Sequence, residues 1–153
     1  MDIRFPYKIH IQFPGDLDYI PPVRKFVSEM LQVSNFTPRF AYRSEIIVDE
    51  ICNNAVNYGC VTNDAKVELV CEIKDDHVDF QIKDEGGSKE HIRRLRQAMH
   101  TEEDKKDDIH KRGLGLEIVK MLSEKIDLEI DSRNLTSIHV VRKREDIERE
   151  PKQ

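Results

Sequence analysis

The stretch EIIVDEICNNAVNYG, residues 45–59, predicts the long helix on which the rest of the fold depends. Thr37 followed by Pro38 is an N-cap and first-turn pair that begins a helix, and Gly59 is expected to end it as the residue after the C-cap. Apolar residues recur at spacings of three and four, the pattern of a helix with one buried face. That set is Ile47, Val48, Ile51, Cys52, Ala55, Val56 and Tyr58.

Polar residues on the same helix form a second pattern. Glu50 and Asn54 are four residues apart, so both project from one edge of the apolar stripe. A carboxylate there can act as a base, and an amide oxygen is a ligand that Mg²⁺ accepts. The alternative is that these two residues, with Asn53 and Asn57, form a solvated face. Asparagine is a mediocre helix former, however, so three within five residues need a reason.

Length and composition predict a single domain spanning residues 1–153. Hydrophobic residues make up 38% of the chain and charged residues 36%, which supports a core with an ionised surface. The formal net charge of −5 argues against nucleic acid as a direct partner, because phosphate binding needs a positive surface. The short basic run at residues 142–144 turns acidic at once.

The cysteines and the hydropathy pattern indicate the compartment. Three cysteines without metal-type spacing do not form a disulfide framework, and Cys52 and Cys71 are expected to be small core residues. The first 20 residues lack a continuous apolar run, and no segment reaches membrane-spanning length. We therefore expect a cytoplasmic protein that does not bind to membranes.

The remaining segments predict antiparallel strands and further helices. Alternating apolar residues indicate strands with one buried face, and spacings of three and four indicate helices. The expected strands lie at residues 7–13, 67–73, 78–82, 128–130 and 138–140, and the expected helices at residues 21–31, 92–99 and 114–126.

Two glycine-containing segments surround a polar stretch. Asp84-Glu85-Gly86-Gly87 directly follows a strand, where the backbone must turn sharply or approach something closely. Arg112-Gly113-Leu114-Gly115 precedes the last helix, whose N-terminal N–H groups suit a phosphate. Each is weak evidence alone. Residues 100–111 between them are almost wholly polar and predict a connector.

In order and spacing, three motifs resemble the nucleotide-binding motifs of the GHKL ATPases, the Bergerat-fold superfamily: Glu50-x-x-x-Asn54, Asp84-x-Gly86 and Arg112-Gly113-Leu114-Gly115. The sequences DEICNNAVNYG, KDEGG and RGLGLEIVKML are most similar to the anti-sigma factor serine kinases of bacterial partner-switching systems. The resemblance covers residues 7–142. It implies an α+β fold of two layers, with a mostly antiparallel sheet, helices on one face, a lid at residues 87–111 and a charged tail at residues 145–153.

The resemblance also implies a role for each site residue. Glu50 would be the general base for an incoming serine hydroxyl, and Asn54 would hold the Mg²⁺ that bridges the phosphates of ATP. Asp84 would accept a hydrogen bond from the adenine amino group. The remaining nucleotide contacts would come from Gly86 and Thr136 beside the base, and from Arg112, Gly113, Leu114 and Gly115 at the phosphates.

The sequence departs from the family pattern at two positions. The second glycine of the usual D-x-G-x-G is displaced by one residue to Gly87, and Leu135 stands where a glycine commonly precedes Thr136. Neither change removes the residues expected to bind Mg²⁺ or phosphate.

We therefore expect an enzyme, an ATP-dependent protein-serine kinase that also acts as an anti-sigma factor. The partners implied by the resemblance are an anti-sigma factor antagonist that accepts the phosphate, a sigma factor and a second copy of the chain. One alternative is a regulatory module that binds nucleotide and partners without phosphotransfer. Another is a detached histidine-kinase-like catalytic domain, which would need a phosphoacceptor histidine on its partner. The most conservative interpretation is an α/β domain without a nucleotide site.

Overall fold

The computed structural model describes residues 4–60, 62, 64–86, 92–93, 96–97, 115–133 and 135–144. Within these residues a five-stranded antiparallel sheet, of order β1-β2-β3-β5-β4, is covered on one face by helices. The predicted α+β fold is confirmed. Its elements are β1 (Tyr7–Pro14), α1 (Ile20–Val33), α2 (Pro38–Gly59), β2 (Lys66–Ile73), β3 (His77–Asp84), α3 (Leu116–Leu122), β4 (Lys125–Ile130) and β5 (Thr136–Lys143).

Alternation along the strands gives the sheet its single apolar face. In β3, Val78, Phe80 and Ile82 are at most 1% exposed, whereas the residues between them are partly exposed. Phe80 lies opposite Cys71 of β2 and Val140 of β5, so the neighbouring strands extend the same buried face. The helices pack on this face, and the other face is polar.

Helix α2 begins as the sequence predicts but ends differently. The hydroxyl of Thr37 accepts a hydrogen bond from the N–H of Phe40 at 3.1 Å, and Pro38 is the first helical residue. Apart from Tyr58, which is half-buried, the predicted apolar stripe lies in the core. Gly59, however, is the last helical residue and lacks the positive φ of a glycine after the C-cap.

Helix α3 is shorter than the sequence predicts. It ends at Leu122, because Ser123 is extended (φ −128°, ψ 160°) and Lys125 begins β4. Ile126 therefore belongs to a strand, where it alternates with the next apolar residues, and not to the helix. Ile118, expected on the apolar face of α3, is 40% exposed. Leu116 and Val119 are the buried residues of this helix.

A buried arginine joins β5 to the first half of α2. Arg142 is 1% exposed, and its Nη1 donates hydrogen bonds to the carbonyl oxygen of Phe40 at 2.8 Å and to the hydroxyl of Ser44 at 3.1 Å. The guanidinium carbon lies 4.1 Å from the centroid of the Phe40 ring. Hydrogen bonds from a charged donor and cation–π contacts are both strongest where water is excluded. Arg142 thus fixes α2 against the sheet.

We expect Arg142→Ala to lower the free energy of unfolding by about 3 kcal/mol, because it removes charged hydrogen bonds and leaves a cavity. Urea denaturation measures this loss. The control is Arg144→Ala: Arg144 donates to the carbonyl oxygen of Asn35 at 2.6 Å and lies 4.2 Å from the Phe36 ring, but is more exposed. Its loss should cost about 1 kcal/mol or less. Equal losses for the two variants would contradict the prediction.

Candidate nucleotide-binding site

The asparagines of α2 have different environments, so the solvated-face interpretation is wrong for one of them. Asn57 is exposed, and the amide of Asn53 donates to the carbonyl oxygen of Asp49 at 2.6 Å on the same helix. Asn54 is 2% exposed, and its Oδ1 has no hydrogen-bond donor among the described residues. A buried oxygen without a partner costs about 1–3 kcal/mol. Within the described residues, Asn54 therefore presents a buried oxygen that could accept a hydrogen bond or bind a cation.

Glu50, one helical turn before Asn54, lies against the start of α3. A methyl group on Gly115 would lie 2.6 Å from Cδ of Glu50 and overlap its carboxylate, so the glycine makes room for the side chain. Gly115 also has φ +63°, which a larger residue adopts at a cost. Burial raises the pKa of Glu50, and the charge of Asp49 adds to the effect. The carboxylate is thus a stronger base than an exposed glutamate.

Asp49 is part of a link between helices α1 and α2. Its Oδ1 lies 2.6 Å from Nη1 of Arg24 on α1, and Nε of Arg24 is 3.9 Å from Oε1 of Glu45. The Asp49 carboxylate is therefore engaged in an ion pair that joins α1 to α2.

The end of β3 meets the end of α2 at Asp84. Its Oδ1 accepts hydrogen bonds from the hydroxyl of Thr136 and from the N–H of Gly86, the latter at 2.7 Å. Gly86 has φ +85°, which lets its N–H turn back to the carboxylate. Burial raises the pKa of Asp84, against the lowering effect of these two hydrogen bonds. Thr136, itself 2% exposed, reaches Asp84 even though Leu135 precedes it.

Gly59 is a site contact that the sequence analysis missed. A methyl group on Gly59 would overlap Cγ and both oxygens of Asp84. The two residues are 25 positions apart and no local pattern connects them. A glycine at a helix end instead predicts a cap.

Helix α2 therefore connects two groups of predicted site residues. Glu50, Asn54 and Gly115 lie near its middle, and Asp84, Gly86 and Thr136 lie at its C-terminal end. The nine residue-to-residue steps of helix from Glu50 to Gly59 rise about 14 Å. Three predicted phosphate contacts, Arg112, Gly113 and Leu114, lie outside the described residues, as do most of the predicted lid and the tail at residues 145–153.

A cleft of about 550 Å³ opens on the polar face of the sheet. Asp84 and Thr136 line it, together with Lys83, Glu85 and Ser137, whereas Glu50 and Asn54 do not. This cleft adjoins Asp84 and Thr136 and does not extend to Glu50 or Asn54.

Comparison with known proteins identifies the family. The sequence matches the model of the histidine kinase-like ATPase domain over residues 13–141. The chain belongs to this family. Membership in the histidine kinase-like ATPases implies ATP binding, and the predicted resemblance to the GHKL superfamily is confirmed. Within the described residues, no helix of this ATPase domain combines the length and hydropathy needed to cross a membrane.

Solved structures share the fold of this histidine kinase-like ATPase domain. A chain in the crystal structure of the SiaB-SiaC complex from Pseudomonas aeruginosa superposes with a TM-score of 0.69 at 14% identity, covering 87% of this chain and 88% of that one. The structure of the RsbU and RsbW domains of Rv1364c from Mycobacterium tuberculosis gives a TM-score of 0.63 at 14% identity over 89% of this chain. The match spans 32% of that longer chain. No curated protein matches the sequence.

We expect Glu50→Gln to stabilise the protein at neutral pH. Since the pKa of Glu50 is raised from its ordinary value of 4.5, the folded protein retains a proton that the unfolded chain releases as the pH rises past that value. The free energy of unfolding therefore falls as the pH rises from the ordinary pKa to the raised one. Gln has no proton to lose and avoids this fall. Urea denaturation between about pH 4 and pH 8 should show an advantage of Glu50→Gln that grows with pH.

The control is Glu45→Gln, which removes another glutamate from α2, one that lies beside Arg24. It should give no stability gain at neutral pH. An advantage of Glu50→Gln that is independent of pH would show that the Glu50 carboxylate is not desolvated.

Proposed function

We propose that the chain is an ATP-dependent protein-serine kinase that acts as an anti-sigma factor in a partner-switching system. Asn54 carries the most weight, because its buried Oδ1 lacks a protein partner within the described residues. An amide oxygen is a ligand that suits Mg²⁺, and Glu50 lies one turn away on the same helix. A solvated helix face or a purely structural asparagine would not leave this oxygen buried and unsatisfied.

Nucleotide would lie along α2. Asp84 at one end would accept a hydrogen bond from the adenine amino group, with Gly86 and Thr136 holding the carboxylate in place. The separation of about 14 Å between Glu50 and Gly59 is comparable to the length of an extended nucleoside triphosphate. The proposed phosphate contacts are Gly115 and the residues before it, Arg112, Gly113 and Leu114.

Glu50 would act as the general base. Its raised pKa suits removal of a proton from a serine hydroxyl, because a base works best when its pKa approaches the operating pH. The hydroxyl oxygen would then attack the γ-phosphate as ADP leaves. Asn54 would hold Mg²⁺, whose charge neutralises the phosphate oxygens. Phosphoryl transfer depends mainly on position and charge, so these few side chains suffice.

The proposed partners are an anti-sigma factor antagonist, a sigma factor and a second copy of the chain. We propose that residues 1–153 form one domain that binds them, with residues 87–111 as its lid. Exposed apolar side chains support protein contacts. Phe26 and Val33, seven residues apart on one side of α1, are 45% and 60% exposed, and Met121 of α3 is 82% exposed. A similar chain also occurs in a two-protein complex, that of SiaB and SiaC.

We expect Asn54→Ala to weaken Mg²⁺-dependent ATP binding at least about tenfold, because a ligand oxygen is lost. Titration calorimetry with ATP, with and without Mg²⁺, measures this effect. Asn57→Ala, an exposed asparagine on the same helix, is the control and should bind ATP as the wild type does. If Asn54→Ala binds Mg·ATP normally, Asn54 is not a metal ligand.

We expect Glu50→Gln to retain ATP binding and to lose phosphotransfer by a factor of about 10²–10⁴, the usual contribution of a general base. Each protein would be incubated with γ-labelled ATP, Mg²⁺ and a soluble extract of the source organism. Acid-stable phosphoserine on a bound protein, present with the wild type and absent with Glu50→Gln, is the expected result. A bound partner that carries no phosphate would support the alternative of a nucleotide-binding module without phosphotransfer. Acid-labile phosphate on the partner would indicate transfer to histidine.

A further inference from the structure

Gly59 differs from the other glycines of the site in having no conformational reason to be glycine. Gly86 and Gly115 have φ values of +85° and +63°, which favour glycine. Gly59 is the last residue of α2 and does not have a positive φ. Glycine is less favourable in a helix than alanine. Its presence at the end of α2 therefore needs another explanation.

The explanation is the Asp84 carboxylate. The space that a Cβ on residue 59 would take is filled by Cγ, Oδ1 and Oδ2 of Asp84. The carboxylate cannot move away without breaking hydrogen bonds, because Oδ1 accepts from Thr136 and Gly86. A side chain at residue 59 would push Asp84 away from both donors.

The contact fixes one face of the carboxylate against α2. Both described hydrogen bonds use Oδ1, which leaves Oδ2 to accept a hydrogen bond from a ligand. A carboxylate oxygen attracts the 6-amino group of adenine and repels the 6-oxo group of guanine. Guanine can donate to a carboxylate only through its N1–H and 2-amino group, so an Oδ2 held where the 6-amino group lies would favour adenine.

We propose that Gly59 is a positioning residue for base selection: it leaves room for the Asp84 carboxylate at the end of α2 and so places the oxygen that distinguishes adenine from guanine. The base-selection part rests on the proposed function, in which Asp84 binds adenine. The contact itself does not, and it can be tested without nucleotide.

The first experiment measures thermal unfolding of the ligand-free protein. In the wild-type background, Gly59→Ala should lower the midpoint by at least about 4 °C, because the methyl group displaces the carboxylate. In an Asp84→Ala background the three atoms that fill this space are absent, so Gly59→Ala should raise the midpoint by about 1–2 °C through helix propensity. Asp84→Asn keeps the size of the side chain without its charge, and Gly59→Ala should remain harmful there.

The sign reversal is the decisive result. If Gly59→Ala lowers the unfolding midpoint equally in the Asp84→Ala and wild-type backgrounds, the proposed contact between Gly59 and Asp84 is refuted. If Gly59→Ala alone does not fold, a folded double variant with Asp84→Ala supports the contact, and an unfolded double variant overturns it.

The second experiment measures the ratio of the Kd for GTP to the Kd for ATP. The wild type should prefer ATP, and Gly59→Ala should reduce this preference at least about tenfold. Asn57→Ala, near the same end of α2 and exposed, should keep it. An unchanged preference in Gly59→Ala overturns the role in base selection. A sign reversal in the first experiment without ATP binding by the wild type would refute the proposed function and leave the contact intact.

Discussion

The packing of α2 on the antiparallel sheet is the constraint on which the rest of the structure depends. One side of the helix is core, where Ile47 and Ile51 are fully buried, and one edge carries Glu50 and Asn54. Because successive residues of a helix are separated by about 100°, fixing the apolar side fixes the direction of the polar edge. Precision at the site is therefore a property of the core, and Arg142 adds to it by attaching the same helix to β5.

Several residues of the candidate site lower the stability of the fold, and packing in the core must offset this loss. Burial raises the pKa of both Glu50 and Asp84, which means that each charged form is less stable in the fold than in water. The Asn54 amide oxygen is buried without a described protein partner. Three such groups on or beside one helix are what a binding site requires, and a helix selected for stability alone would avoid them.

Local patterns in the sequence were sufficient for most of the fold. Alternation placed β1 at residues 7–13, one residue short of its observed end, and the Thr37-Pro38 pair gave the start of α2. The predicted boundaries were wrong where the helical and strand periodicities of apolar residues coincide. Ile126 is an example, because its spacing fits the preceding helix and the following strand equally well. The burial of Arg142 was missed because it occurs in a basic run. Its alternation with Ile138 and Val140 was the available signal.

The candidate site could be predicted as a set of residues but not as an arrangement. Spacing on one helix placed Glu50 and Asn54 on the same edge, since that relation is local. The contacts of Asp84 with Gly59 and Thr136 connect residues 25 and 52 positions away, and no local pattern predicts such pairs. Only the family resemblance placed Asp84 and Thr136 beside the same base. The meaning of a glycine likewise depends on what fills the space of its missing side chain.

The unsatisfied oxygen of Asn54 has a consequence for the lifetime of the protein in the cell. A group that supplies its missing partner binds the folded chain and not the unfolded one, so occupancy lowers the population of open, protease-sensitive molecules. The fraction of intact molecules would then rise with the concentration of that group.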